Sequence, residues 1–453
     1  MSSNQRNQSR IAILHHTGGG NLGDDAIMDV VIHNIRLRWP HAEITAFSMN
    51  PGDTGKRHGI RSYPIRRHTW GIGYGSDGNE EARTRHGIRN WLTTTKTPAI
   101  RFPRNILREL EFLITSFRKL RPFDMFIVSG GGQLTERSGP WGFPYAILIW
   151  ILMARLAGVR RIFLNVGAGP LRHPLSKFFV RRSLYAANYV SFRDEPSQTL
   201  ARRIGFTGAS RVFPDNVYSL EVPALALASA DARPSPLVGL APMPWPFCDP
   251  REHLSENLQA LYDEYIAKLA VFASCLVRYS CSVELFGSDA GADPSAIEDL
   301  RKALRAQQKI DTPAYVPIDS VNELLSRMAA MDFVVTCRFH GVVLAHILNK
   351  PVLAVSHHPK VADLMEALGL SQYCVDIRNF DPRALADTFA SLVDHAGEVK
   401  IIMAEKLATY RLKATAQFDE LFPAALEGVS CGVDPGRENN GRGLRSEARR
   451  SQI

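Results

Sequence analysis

Short apolar runs and stretches of helical period alternate along this chain. Ile11 to Thr17 is apolar, Ala26 to Arg38 repeats apolar residues at helical spacing, and Glu43 to Met49 is apolar again, which predicts a strand–helix–strand opening. Asp124 to Val128, Arg161 to Val166 and Tyr189 to Phe192 predict three more strands. They run into Ser129-Gly130-Gly131-Gly132, Gly167-Ala168-Gly169-Pro170 and Arg193-Asp194-Glu195. A second alternation begins at Leu237, with strands expected over Leu237–Ala241, Val283–Phe286, Phe333–Thr336 and Val352–Val355. Helices are expected over Ser255–Tyr279, Ser295–Gln308, Val321–Met331, Gly341–Asn349 and Lys360–Leu368. Strands that alternate with helices predict parallel sheets covered on both faces. The expected fold class is therefore α/β, with two Rossmann-like domains whose parallel sheets face a central cleft.

The boundaries follow from where the pattern stops. Residues 1–9 are polar and read as a disordered start, 10–221 as the first domain, the Ala/Pro-rich stretch 222–236 as a linker, 237–427 as the second domain, and the Gly/Arg/Asn tail 428–453 as disordered. Gly55 to Thr97 shows neither period and reads as a basic, irregular insertion in the first domain. Pro103 to Arg121 carries Ile106, Leu107, Leu110, Leu113, Ile114, Phe117 and Leu120 on one stripe among basic residues. A helix packed on a sheet is the plain reading of that stripe, and a helix lying on a membrane surface is the alternative.

Composition changes this picture little. With 45% apolar and 22% charged residues among 453, the chain is of ordinary globular make-up, which excludes collagen-like, disordered and disulfide-scaffold classes. The start has no secretory pattern, and the longest apolar run, Tyr145 to Leu156, is interrupted by Arg155 and too short to cross a bilayer. Six cysteines lack metal-ligand spacing, so reduced thiols and a cytoplasmic location are expected, with peripheral contact at the membrane's cytoplasmic face left open. The net charge of +9 is concentrated between Gly55 and Phe123, and no nucleic-acid-binding motif accompanies it. A local anion-facing patch fits better than a nucleic-acid surface.

Three segments carry candidate chemistry. Gly18-x-Gly20-x-x-Gly23 has the spacing of a dinucleotide fingerprint, but Met49-Asn50-Pro51 stands where a ribose-binding acid belongs and Asp53 is displaced beyond it. What remains is a glycine turn that admits a polar ligand to a helix N-terminus, with Asp24 or Asp25 available to cap that helix. Thr336-Cys337-Arg338-Phe339-His340-Gly341 follows a strand; in extended conformation Arg338 and His340 would share one side and Phe339 the other. Arginine offers a fork for carboxylate or phosphate, and histidine exchanges protons near neutral pH. Lys360 heads a helix, where a cation is unfavourable unless an anion sits beside it. Arg193 reads either as a structural ion pair with its acidic neighbours or as another cation facing the cleft.

Taken together, Gly20-Asn21-Leu22-Gly23-Asp24, Gly130-Gly131-Gly132, Arg193-Asp194, Pro214-Asp215, Cys337-Arg338-Phe339-His340-Gly341 and Lys360 make the chain resemble the polysaccharide pyruvyl transferases over about residues 10 to 425. The resemblance implies the fold of two-domain GT-B-like glycosyltransferases, with phosphoenolpyruvate as donor and a saccharide or lipid-linked oligosaccharide as acceptor of a pyruvate ketal. It implies a donor site of Arg193, Arg338 and Lys360, with Arg338 and His340 as the catalytic pair and His340 as proton donor. It puts Gly20, Asn21, Asp24, Gly131 and Gly132 on the acceptor side. Neither a cofactor nor a metal is expected, and the basic insertion matches nothing in the family pattern. Two alternatives stay open: a nucleotide-sugar glycosyltransferase of the same architecture, and a non-catalytic relative that binds anionic glycan.

Overall fold

The computed structural model describes residues 9–67, 98–136, 139–222, 234–246, 257–308, 310 and 315–423. The expected linker and both termini fall largely outside these residues.

The first half runs β1 (Arg10–Leu14), α1 (Leu22–Arg38), β2 (Glu43–Ser48), α2 (Pro51–His58), β3 (Arg61–Pro64), α3 (Pro98–Leu120), β4 (Met125–Ser129), α4 (Phe143–Leu156), β5 (Arg160–Val166), α5 (Pro174–Tyr185), β6 (Tyr189–Phe192), α6 (Glu195–Arg203) and β7 (Arg211–Val212). Its seven strands are all parallel, in the order β3-β2-β1-β4-β5-β6-β7. The second half runs β8 (Leu237–Ala241), α7 (Leu258–Arg278), β9 (Ser282–Leu285), α8 (Asp293–Ala303), α9 (Val321–Ala330), β10 (Phe333–Thr336), α10 (Phe339–Ile347), β11 (Val352–Ser356), α11 (Pro359–Ala367), β12 (Cys374–Asp376), α12 (Pro382–Asp394) and α13 (Ala396–Leu421). Its five strands are also parallel, in the order β12-β11-β10-β8-β9. The central strands β1, β4, β10 and β11 are buried almost throughout, which is why they read as unbroken apolar runs.

Strand order reverses between β1 and β4 in one sheet and between β8 and β10 in the other. Such switch points open a crevice outside the carboxyl ends of the strands. Backbone contacts turn the two crevices toward each other: Leu22 N donates to Ser288 O at 3.0 Å, and Ala290 N donates to Gly20 O at 2.8 Å. Asn21 and Asp289 form an isolated antiparallel bridge at the same seam.

Three expectations are corrected. The segment from Gly55 is not wholly irregular, because Asn50 caps α2 by accepting from Asp53 N, Gly59 closes that helix in the left-handed region, and β3 adds an edge strand. β3 is only half buried, so it lacks the apolar signature of an inner strand. Residues 68–97 lie outside the described residues. The helix after β10 begins at Phe339 rather than Gly341, which removes the extended backbone expected for Arg338 to His340.

The third correction concerns the end of the chain, where α13 leaves the second domain and returns to the first. Gln417 Nε2 donates to Asn165 Oδ1, Ser191 Oγ and Tyr189 OH, and Asp419 and Glu420 pair with Arg38 and Arg211. One apolar cluster consequently runs from Ile11 and Ile13 of β1 through Val217 and Tyr218 into the second sheet and on to Phe422.

Candidate functional site

The loop after β1 places His15 directly at the first switch point. Its ring is fully buried and neither nitrogen has a hydrogen-bond partner; burial, reinforced by the positive charge of His58, lowers its pKa to about 3. Gly131, held at φ 63°, lies alongside, and a Cβ there would sit 3.3 Å from Asp24 Oδ1 and 3.4 Å from His15 Nε2. The glycine turn after β4 is thus a close approach of backbone to two side chains, and Gly132 beyond it faces open space. Gln133 follows, fully buried, with both amide atoms unpartnered.

Helix α1 starts at the same point. Its cap is Asn21, whose side chain accepts from Gly23 N at 3.0 Å, rather than either aspartate. That leaves Asp24 in the first turn with its carboxyl free of capping duty. Burial raises its pKa to about 7, Asp25 and Asp289 push it further the same way, and Lys360 and Arg193 pull against them. A group near neutrality can hold or release a proton at working pH. Asp25 supports the turn from behind, facing His58 Nε2 at 3.6 Å and Arg57 at 3.7 Å, while His58 Nδ1 meets Asp29 at 2.7 Å.

The second domain delivers His340 onto this turn. A Cβ on Gly23 would overlap the His340 ring, so the absence of a side chain at Gly23 is what lets the imidazole reach the N-terminus of α1. His340 Nε2 is buried without a partner. Burial lowers the pKa of His340 well below the ordinary histidine range, and Arg193, Lys360, His15 and Arg338 add to the effect. The free protein therefore holds this imidazole neutral at neutral pH.

Phe339 organises the cations. Arg193 arrives from β6 of the other domain and lies 4.3 Å from the Phe339 ring centre; Lys360, from the first turn of α11, lies 6.0 Å from it. Arg193 is also paired with Asp194 at 3.1 Å and faces the buried Asp215 at 3.6 Å, so both readings of it from sequence are present at once. Gly167 clears its path, since a Cβ there would come within 2.7 Å of Arg193 Nε.

Arg338 is placed differently from expectation. It precedes α10 in extended conformation and turns away toward the loop after β9, meeting Asp293 Oδ1 at 2.9 Å through Nε and Asp289 Oδ2 at 3.2 Å through Nη1. The carboxyl of Asp293 is raised to about 6 by burial, with Arg338 opposing the rise. Two acids thus flank this guanidinium, as Asp194 and Asp215 flank that of Arg193. What sets Arg193 and Lys360 apart is that both lie against the Phe339 ring.

The structure thus brings together His340, Arg193, Lys360, Asn21, Asp24, Gly20, Gly131 and Gly132, and sets Arg338 to one side as a clamp. Sequence reasoning missed His15 and Gln133, whose only signal was polarity at the carboxyl end of a strand, and it missed Asp289 and Asp293, which lie in an Asp/Gly-rich turn after β9. It put Phe339 on the far side from His340; the helical backbone instead makes it the surface that the two cations share. Among the described residues no cluster of His, Cys, Asp or Glu is arranged to hold a metal ion.

A family model described as polysaccharide pyruvyl transferase matches residues 21–359. Solved structures similar to this chain include a glycosyltransferase from Rickettsia africae, at 10% identity and TM-score 0.52, covering 92% of this chain and 98% of that one. Anabaena HepE in complex with UDP matches at 12% identity and TM-score 0.51, over 91% and 98% of the two chains. The rhamnosyltransferase SpnG matches at 12% and 0.51, over 91% and 99%. At such identities the structures establish a shared fold, that of the GT-B glycosyltransferases. The family match spans well over half of the chain, and the chain belongs to the polysaccharide pyruvyl transferase family.

Proposed function

We propose that this transferase moves the pyruvyl unit of phosphoenolpyruvate onto two hydroxyls of a saccharide, forming a cyclic ketal during synthesis of a cell-surface or exported polysaccharide. The observation that carries the reading is the convergence of Arg193 and Lys360 on Phe339 beside a neutral, buried His340. Phosphoenolpyruvate bears a phosphate and a carboxylate close together and calls for at least two cations. Arg338 supports them by fixing the start of α10.

Charge gives the site an order of events. Burial is the first cause of the lowered His340 pKa, and Arg193 and Lys360, which would hold the donor, add to it together with His15 and Arg338; an anion between Arg193 and Lys360 offsets their share and moves the imidazole pKa upward. His340 then gives its proton to C3 of the enol while a sugar hydroxyl adds at C2 and Asp24, as carboxylate, takes the hydroxyl proton. The C2–O bond to phosphate breaks with its electron pair, inorganic phosphate leaves, and the second hydroxyl closes the ketal, its proton passing to phosphate or back to His340. C2 begins and ends at the oxidation level of a ketone, so the balance requires no redox cofactor. Asn21, the Gly20 and Gly131–Gly132 turns, His15 and Gln133 supply hydrogen bonds on the acceptor side. The four cysteines among the described residues form no disulfide, which fits a reducing, cytoplasmic workplace.

Calorimetric titration with phosphoenolpyruvate in two buffers of different ionisation enthalpy, beside UDP, tests the reading. Binding with net proton uptake is expected, with His340→Gln retaining binding and losing the uptake. Heat from UDP alone would favour a nucleotide-sugar glycosyltransferase and overturn the proposal.

A further inference from the structure

Helix α3 is apolar on two sides. Phe112, Leu113, Phe117 and Leu120 turn inward onto the core beneath the first sheet, which accounts for one stripe. Leu107, Leu110 and Ile114, at i, i+3 and i+7, point outward, with Leu107 at 67% exposure. Core packing does not explain this second stripe.

The outer stripe continues over the neighbouring helices. Arg67 reaches Glu109 of α3, Arg66 lies over Tyr145 of α4 at 5.8 Å, and Tyr145 meets Trp141 at 5.4 Å. Trp141 packs on Phe179 of α5 at 5.7 Å and is still 60% exposed, and its neighbour Phe178 is exposed as well. Trp141 and Phe178 sit near the starts of α4 and α5, at the carboxyl edge of the sheet where the cleft opens. The charges around them have one dominant sign. Residues 172–182 carry Arg172, Lys177, Arg181 and Arg182 with no acid, whereas the basic end of α3, Arg118, Lys119 and the adjoining Arg121, lies at the opposite, amino edge of the sheet just before β4.

We propose that this α3–α4–α5 face docks on the surface of an anionic lipid bilayer, with the cleft mouth at the headgroups. Aliphatic and aromatic side chains would enter the interface while the basic ones meet lipid phosphates. A second copy of this chain suits the face less well, since a two-fold pairing would oppose like basic rims. No helix among the described residues is long and apolar enough to cross a membrane, so the contact is with one leaflet. The inference goes beyond the pyruvyl-transfer reading and does not depend on it: donor titration tests one, vesicle binding the other.

Flotation of the full chain with vesicles of pure phosphatidylcholine, and with equimolar phosphatidylcholine and phosphatidylglycerol, tests the proposal. Binding is expected to the anionic vesicles only, and to weaken in high salt. Leu107→Ser/Leu110→Ser/Ile114→Ser should reduce binding by about tenfold or more, and Arg172→Glu/Lys177→Glu, which leaves the apolar stripe intact and guards against misfolding of the first variant, by a similar factor. Both should keep the thermal response to phosphoenolpyruvate. Absence of binding to anionic vesicles, wild-type binding by both variants, or a dimer that the serine variant dissociates without any lipid binding would each overturn it.

Discussion

The two sheet edges that face each other across the seam are chemically unlike. The β1/β4 edge presents polar groups without partners: both nitrogens of His15 and both amide atoms of Gln133, beside an Asp24 poised near neutrality. The β8/β10 edge presents Arg338 already neutralised by Asp289 and Asp293. Unsatisfied buried groups are costly to keep and point to a ligand that completes them, whereas a closed ion cluster points to rigidity. The first edge is prepared to bind, and the second holds the start of α10 still and offers the buried, unpartnered His340 Nε2 from it.

The largest effect should come from testing the two arginines that this contrast separates. Arg338→Ala leaves the buried Asp293 and the part-buried Asp289 without their cation and is expected to cost about 3–5 kcal/mol of stability. Adding Asp293→Asn should restore part of the lost melting temperature. Arg193→Ala likewise leaves a buried acid, Asp215, without its cation, so a comparable loss of stability is expected, and what distinguishes it is loss of the thermal shift given by phosphoenolpyruvate. Retention of that shift by Arg193→Ala would erase the distinction between clamp and ligand.

That distinction was not legible in the sequence, where both arginines end a strand and precede a helix. The parallel sheets and their glycine turns were, because central strands are buried on both faces and announce themselves as apolar runs. β3 escaped because an edge strand carries no such run, and the return of α13 escaped because it rests on contacts such as Asn165 with Gln417, 252 residues apart. Motifs singled out His340 and Lys360 as candidates and passed over His15 and Gln133, whose buried polar atoms have no partner. Spacing shows what lies on one element, and the site is made where elements from two domains meet.

The next prediction probes the open edge. Asp24→Asn removes a carboxyl whose pKa, near 7, allows it to accept a proton at working pH. In the wild type, turnover should rise with pH through about 7 as the carboxylate forms. The variant should lose that limb and fall about 10²–10⁴-fold in kcat. A variant with the same pH profile as the wild type would move the base elsewhere.

Gly23→Ala asks whether the edges must touch. Alanine suits the first turn of a helix, so folding should survive, but its Cβ displaces the His340 ring. A shift of about 1 Å at a proton donor is expected to lower kcat about 10²-fold while donor binding changes little. Unchanged turnover would mean that His340 works without leaning on α1.

The smallest expected effect concerns the support behind the open edge. Burial disfavours the charged form of His58, yet Asp25 and Asp29 more than offset it and its pKa rises to about 9, above the 6.5 of an unfolded chain. A histidine raised in the folded state adds stability that is complete below the unfolded value and is lost as pH climbs through the folded one. The wild type should therefore lose this contribution between about pH 6.5 and pH 9. His58→Gln should be less stable by about 1–2 kcal/mol at pH 6 and converge on the wild type by pH 10. Because Asp25 adjoins Asp24, loss of the His58 cation should also raise the Asp24 pKa, moving the midpoint of the rate profile upward. Melting curves that stay parallel across this pH range, with an unmoved midpoint, would separate the support from the edge it is argued to serve.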